Sequence, residues 1–84
     1  MIRIHFKDDG QDILWWDVNE EGVVERCNLQ EQIWPGTKVI GSSGGAVQPQ
    51  DIKPGEKLLV IYQSGRGGEF IHPVTKVENL VKAS

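Results

Sequence analysis

The chain predicts an all-β fold: a small single-domain barrel or two-layer sandwich, of SH3-like or OB-like size, built from five to six short and mostly antiparallel strands. Three observations carry this. Apolar residues alternate with polar ones at period 2 along most of the chain, and the 3.6-residue period of an amphipathic helix is scarce. Ten glycines and four prolines interrupt the apolar runs, as tight turns between short strands require. Finally, 84 residues suffice for one core burying roughly 60 to 65% of the unfolded chain's surface, too little to wall off a deep cavity. Residues 1–84 are therefore read as one domain.

The first strand is IRIHFK, with Ile2, Ile4 and Phe6 on one face and Arg3, His5 and Lys7 on the other. DDGQD follows as a turn, Asp9-Gly10 being a favoured tight-turn pair. ILWWDV is the second strand, NEEG a hairpin loop, and VVERCNL approximately the third strand. QIWPGTKVIG leads into a loop at 41–51, rich in Gly, Ser, Gln and Pro, with almost nothing to bury. DIKPGEKLLVIY is a Pro-Gly turn feeding a strand whose continuous apolar run suggests a central position covered on both faces. QSGRGG loops back to a last strand, EFIHPVTKV, in which Pro73 marks an edge or a bulge because it cannot donate to a ladder. ENLVKAS is a frayed tail or one helical turn.

Ile33 to Ile40 and Ile52 to Leu59 both read Ile-x-Pro-Gly-x-Lys followed by two aliphatic residues. Proline then glycine at the two central positions suits a type II turn. Convergence on that turn explains the echo more simply than a duplication does, and either origin implies two strands launched by similar turns.

Adjacent tryptophans in a strand point to opposite faces. Leu14, Trp16 and Val18 form an apolar set, so Trp16 is the core ring and Trp15 faces outward with Ile13 and Asp17. A hairpin of strands one and two must bring its inner faces together, which restricts the register to even residue-number sums. A sum of 20 pairs Ile2 with Val18, Ile4 with Trp16 and Phe6 with Leu14, and sets His5 opposite Trp15 and Arg3 opposite Asp17. A sum of 18 places Arg3 opposite Trp15. In the third strand, Val23, Cys27 and Leu29 form the inward set if Val18 pairs with Val23, and Arg26 then faces Trp15 at the expense of an inward Glu25.

These placements yield an outer patch of Trp15, Arg3, His5, Arg26, Ile13 and Asp17, a composition suited to an interface anchor. The structural alternative is that the ring is covered within the chain by a loop, the tail or an arginine. Arg66, at the tip of QSGRGG, is a possible accessory contact for an anionic partner.

Other motifs carry little chemistry. GSSGG, centred on Ser43, matches Gly-x-Ser-x-Gly but lacks the strand-turn-helix that a nucleophile elbow needs. Cys27 with His5 or His72 has no ligand spacing, and Cys27 reads as a small buried residue. Asp8, Asp9 and Asp12 lack the order of a calcium loop. No catalytic residue, metal or cofactor is assigned, and an enzyme is not expected.

A net charge of −3 opposes nucleic-acid binding through bulk electrostatics, although a local basic patch remains compatible with it. One cysteine cannot close a disulfide within the chain, so the cytoplasm is the expected compartment. No stretch approaches the roughly 20 apolar residues of a membrane-spanning helix. The expected function is a non-catalytic binding or adaptor module recognising another protein through the Trp15 face, with self-association through a sheet edge as a variant. The alternative is an OB-like or SH3-like binder of single-stranded nucleic acid, stacking a base on Trp15 with Arg3, Arg26 and Lys7 on phosphates. A small enzyme or metal protein is the third class.

Overall fold

Alternation and turn chemistry build seven short strands, one more than the upper expectation: β1 (Ile2–Asp8), β2 (Gln11–Val18), β3 (Val24–Cys27), β4 (Lys38–Ile40), β5 (Leu59–Ile61), β6 (Gly67–Glu69) and β7 (Val74–Asn79). A computed structural model describes residues 1–8, 11–28, 34–41 and 44–80, with side chains placed at all of these except 8 and 11–13. The strands form two antiparallel sheets, one in the order β3-β2-β1-β7 and one in the order β4-β5-β6. The sheets are not closed into a barrel, so of the two architectures expected the sandwich is the compatible one. An isolated bridge between Val23 and Lys38 joins them at one corner.

Hairpin parity holds. β1 and β2 pair with the residue sum of 20, from Ile2 opposite Val18 to Phe6 opposite Leu14, and a bulge then shifts Lys7 opposite Asp12. The inward set Ile2, Ile4, Phe6, Leu14, Trp16 and Val18 is buried together with Val24 and Val74 from the flanking strands. Val39, Val60, Phe70 and the loop residues Val47, Ile52 and Leu58 close the same core from the other side.

β3 differs from its expected register. Trp16 faces Cys27 and Asp17 faces Arg26, but Val18 faces Val24, leaving Glu25 as the extra residue of a bulge. The bulge solves the difficulty that plain alternation created. It lets Val24 and Cys27 both turn toward the core while Glu25 stays exposed, so Val23 is not the partner of Val18 and Arg26 lies opposite Asp17 rather than Trp15.

The segment expected as one last strand is divided. Glu69 ends β6, Phe70 donates its N–H to Leu58 O as the chain leaves that sheet, and Val74 starts β7 in the other. Pro73 lies just before β7 and offers its carbonyl to Lys7 N; a bulge follows it, with Phe6 opposite Val74 and His5 opposite Lys76. Glu78 and Asn79, expected in the tail, continue β7. β5 is central in its sheet as expected, but its two faces differ: Val60 is buried whereas Leu59 and Ile61 are 56% and 41% exposed. The apolar run does not signify cover on both sides.

Both Pro-Gly turns form. Thr37 N donates to Trp34 O and Glu56 N to Lys53 O, with Gly36 and Gly55 at φ of 92° and 89°. Proline followed by a left-handed glycine inside an i to i+3 bond is the type II arrangement. The 41–51 loop is less loose than its composition suggests: Ala46 bridges Ile40, Val47 is buried, and Pro49–Asp51 make one 3₁₀ turn. Ser43, the Asp9-Gly10 pair, Leu29, Ile33 and residues 81–84 lie outside the described residues.

Candidate functional site

Trp16 is fully buried and meets Phe6 and Phe70 with ring centroids 4.6 and 4.5 Å apart. Trp15, next in sequence, is half-buried on the outer face of the four-stranded sheet. The pleat alone separates them.

The pairing registers write two rows across that outer face. In the first, Arg26 on β3, Asp17 on β2, Arg3 on β1 and Glu78 on β7 stand side by side. Charge alternates along the row, so each strand faces an opposite sign on its neighbour, the favourable cross-strand arrangement. In the second, Trp15 lies beside His5, and His5 beside Lys76. Lys7 continues the outward positions of β1.

Asp17 is the hub. Its carboxylate is completely buried, although it sits on the outward side of the sheet. Arg3 Nε donates to Asp17 Oδ1 at 2.7 Å and Arg3 Nη2 to Oδ2 at 3.1 Å, the paired fork that arginine geometry suits. Arg26 Nη2 donates to Oδ2 at 2.9 Å. Burial of a carboxylate is costly unless its oxygens are satisfied, and here two guanidinium groups satisfy them. The same Arg3 guanidinium lies over the Trp15 ring at 3.8 Å from the centroid, within cation–π range.

Electrostatics follow from the row. The hydrogen bonds to Asp17 hold the Arg3 guanidinium above its ordinary pKa; partial burial opposes this, and the charges of Asp17 and Glu78 add to it. Glu78 is held below the usual glutamate value, first by the hydrogen bond that His5 Nε2 donates to Oε1 at 2.6 Å, with the Lys76 charge helping against desolvation. Lys76 Nζ stands 3.6 Å from the same carboxylate. Trp15 is further anchored through its backbone, its N–H donating to Asn28 Oδ1 and its carbonyl accepting from Asn28 N.

The structure thus gathers five of the six expected residues, Trp15, Arg3, His5, Arg26 and Asp17, on one face. The side chain of Ile13 lies outside the described ones. Asp17 is a correction in role: it is sealed beneath its arginines and is unavailable to a partner. Arg66 is exposed on the hairpin between β5 and β6, in the other sheet. Lys76 and Glu78 belong to the face but were not among the expected residues, because β7 is at the other end of the chain from its partner β1 and such a pairing is invisible to local patterning. Their alternation with Val77 in TKVEN was the available signal.

The remaining candidates are dispersed. Cys27 packs against the core opposite Trp16, on the side of the sheet away from His5. His72 sets its ring edge-on to Phe70 at 5.5 Å. Among the described residues, no three His, Cys, Asp or Glu side chains are placed to hold a metal ion, and no helix is long and apolar enough to cross a membrane. The side chains of Asp8 and Asp12, like Asp9 as a whole, lie outside the described ones. Trp34, which the alternation left unassigned, extends the core aromatic cluster, 5.3 Å from Phe70 and 5.6 Å from Trp16. Neither a family model, nor a curated protein, nor a solved structure matches this chain.

Proposed function

We propose that this chain is a non-catalytic binding module of SH3-like or OB-like size that docks an acidic segment of another protein on the outer face around Trp15. One observation carries the reading: a buried carboxylate, Asp17, holds Arg3 and Arg26 in place while Arg3 stacks on Trp15. An aromatic ring and two guanidinium groups fixed on a rigid sheet lose little conformational freedom on binding, which is what preorganised recognition needs. Arg26 remains 67% exposed at its side chain, with donors to spare for a carboxylate. Arg3, Arg26, Lys7 and Lys76 outnumber Asp17 and Glu78, so the face is locally basic on an acidic chain. We place the module in the cytoplasm, on the ground that its single cysteine cannot form a disulfide within the chain.

Affinity capture with four proteins tests this: wild type, Trp15→Ala, Arg26→Glu, and Leu59→Ser on the opposite sheet, each first shown to be folded. A partner retained by wild type and Leu59→Ser but lost by the two outer-face variants is the expected result. A partner set unchanged in Trp15→Ala and Arg26→Glu would remove the reading. Single-stranded nucleic acid is the competing ligand, and the Arg3 guanidinium on the ring speaks against it by occupying stacking surface. Titration with a single-stranded oligonucleotide at low salt decides: binding that falls steeply with added salt would transfer the face to nucleic acid.

A further inference from the structure

We infer that β6 is a self-pairing edge, through which two copies of this chain join their three-stranded sheets into one six-stranded antiparallel sheet. The surface is on the sheet opposite the Trp15 face and does not depend on the function proposed there.

The hydrogen-bond phase identifies the free groups. Tyr62 N donates to Arg66 O and Phe70 N to Leu58 O, and Gly68 faces Val60 between them. Residues 66, 68 and 70 therefore direct their peptide groups to β5, and alternation turns those of Gly67 and Glu69 away from it. All three residues of β6 are exposed. Among the described residues no backbone group reaches Gly67 or Glu69 from outside.

Other edges are occupied or guarded. β3 exchanges backbone bonds with the segment before β4, Val24 N donating to Thr37 O and Gly36 N to Val24 O. β4 is engaged by Gly22 O, which accepts from Val39 N, and by the Ala46 bridge. The start of β7 is bonded to residues 55 and 56, and a bulge with Lys76 and Glu78 follows. Bulges, lysines and prolines are the usual protections of an edge. β6 contains none of these three, and is guarded only by its three-residue length and the charge of Glu69.

The partner that fits is a second copy. A two-fold axis at Gly68 sets Gly67 of one copy opposite Glu69 of the other, twice. Both are the residues with outward peptide groups, so the two pairs complete four hydrogen bonds in the antiparallel pattern. Gly68 meets its own copy at the closely spaced position. Among the described residues, a Cβ at Gly68 would touch nothing within 4 Å, so the sheet face around the axis is open. No like charges face one another in this register, whereas shifting the axis to Glu69 would oppose two carboxylates. The two-fold also places exposed Leu59 and Ile61 of both copies on one face of the joined sheet.

Sedimentation equilibrium on the full chain from about 10 μM to 1 mM tests the inference, with three variants. Glu69→Pro removes an outward N–H while leaving the bonds to β5 intact, and should abolish the dimer. Gly67→Lys places a cation opposite Glu69 of the partner copy at two symmetry-related sites; Gly67→Glu places an anion there. These should shift the dimer dissociation constant in opposite directions, each by roughly 2- to 30-fold. A Cβ at position 67 has ordinary contacts, 3.4 Å to Val60 O, so neither variant should unfold the chain. A monomer at every concentration would overturn the inference. So would a dimer that survives Glu69→Pro, or one that responds alike to both charges.

Discussion

Replacing Asp17 by asparagine is the sharpest perturbation of the outer face, because it keeps the size of the side chain and one acceptor oxygen while removing the charge that both arginines share. Three charge-assisted hydrogen bonds converge on the carboxylate, at 2.7, 2.9 and 3.1 Å. Such bonds contribute about 1.5 to 3 kcal/mol each, net of the water contacts they replace. Two considerations reduce the total. The amide oxygen still accepts one bond, and the guanidinium groups can rehydrate, since the Arg3 and Arg26 side chains are 27% and 67% exposed. The loss should therefore stay below the roughly 3 to 5 kcal/mol of a fully sealed ion pair, and about 2 kcal/mol is expected. For a domain of this size that lowers Tm by about 8 to 16 °C. Urea denaturation followed by tryptophan fluorescence measures the free energy. The Trp15 indole resonance should move at the same time, because Arg3 is no longer held over the ring. A Tm within about 2 °C of wild type, with the indole signal unchanged, would refute the claim that the carboxylate organises this face.

The two neighbouring tryptophans should respond very differently: Trp16→Ala should cost about 3 to 5 kcal/mol and abolish cooperative melting by circular dichroism at 37 °C, whereas Trp15→Ala should cost about 1 kcal/mol, mainly the arginine stack. Gly22→Ala should destabilise by more than about 2 kcal/mol in urea titration, because its φ of 81° is left-handed and an added Cβ would lie 2.9 Å from Val39 O; Gly55→Ala, equally left-handed but with open space around it, should cost about 1 to 2 kcal/mol. The Glu78 carboxyl should titrate below its ordinary value of 4.5 and return toward it in His5→Ala, followed by carboxyl carbon NMR. Because the folded-state pKa is the depressed one, its contribution to stability is complete above the unfolded value and disappears as pH falls through the folded one.

Local reading reached a long way into this fold. Alternation in Ile2 to Lys7 and Ile13 to Val18, with the requirement that inner faces coincide, was enough to restrict the β1–β2 register to even residue sums and to send Trp16 inward, because the pleat has a period of two and a slip of one residue would expose the core; the choice of 20 over 18 came from the structure. The two Pro-Gly turns were legible for a similarly local reason, glycine being the residue that accepts a left-handed φ at low cost. In β3 and β7 alternation breaks down because each strand departs from strict period two. Glu25 and Thr75 are bulge residues, and a bulge reverses which face every later residue takes.

What the sequence by itself determined was the strand character, the turn types and the sidedness of the first hairpin, all set by interactions within a few residues. The tertiary structure alone decided that β7 returns beside β1, that Glu78 completes a charge-alternating row with Arg3, Asp17 and Arg26, and that Asp17 is buried on a face where alternation implied exposure. Those outcomes depend on which distant strands become neighbours. Pairing of strands far apart in sequence is settled by the closing of one common core, and no local pattern encodes it.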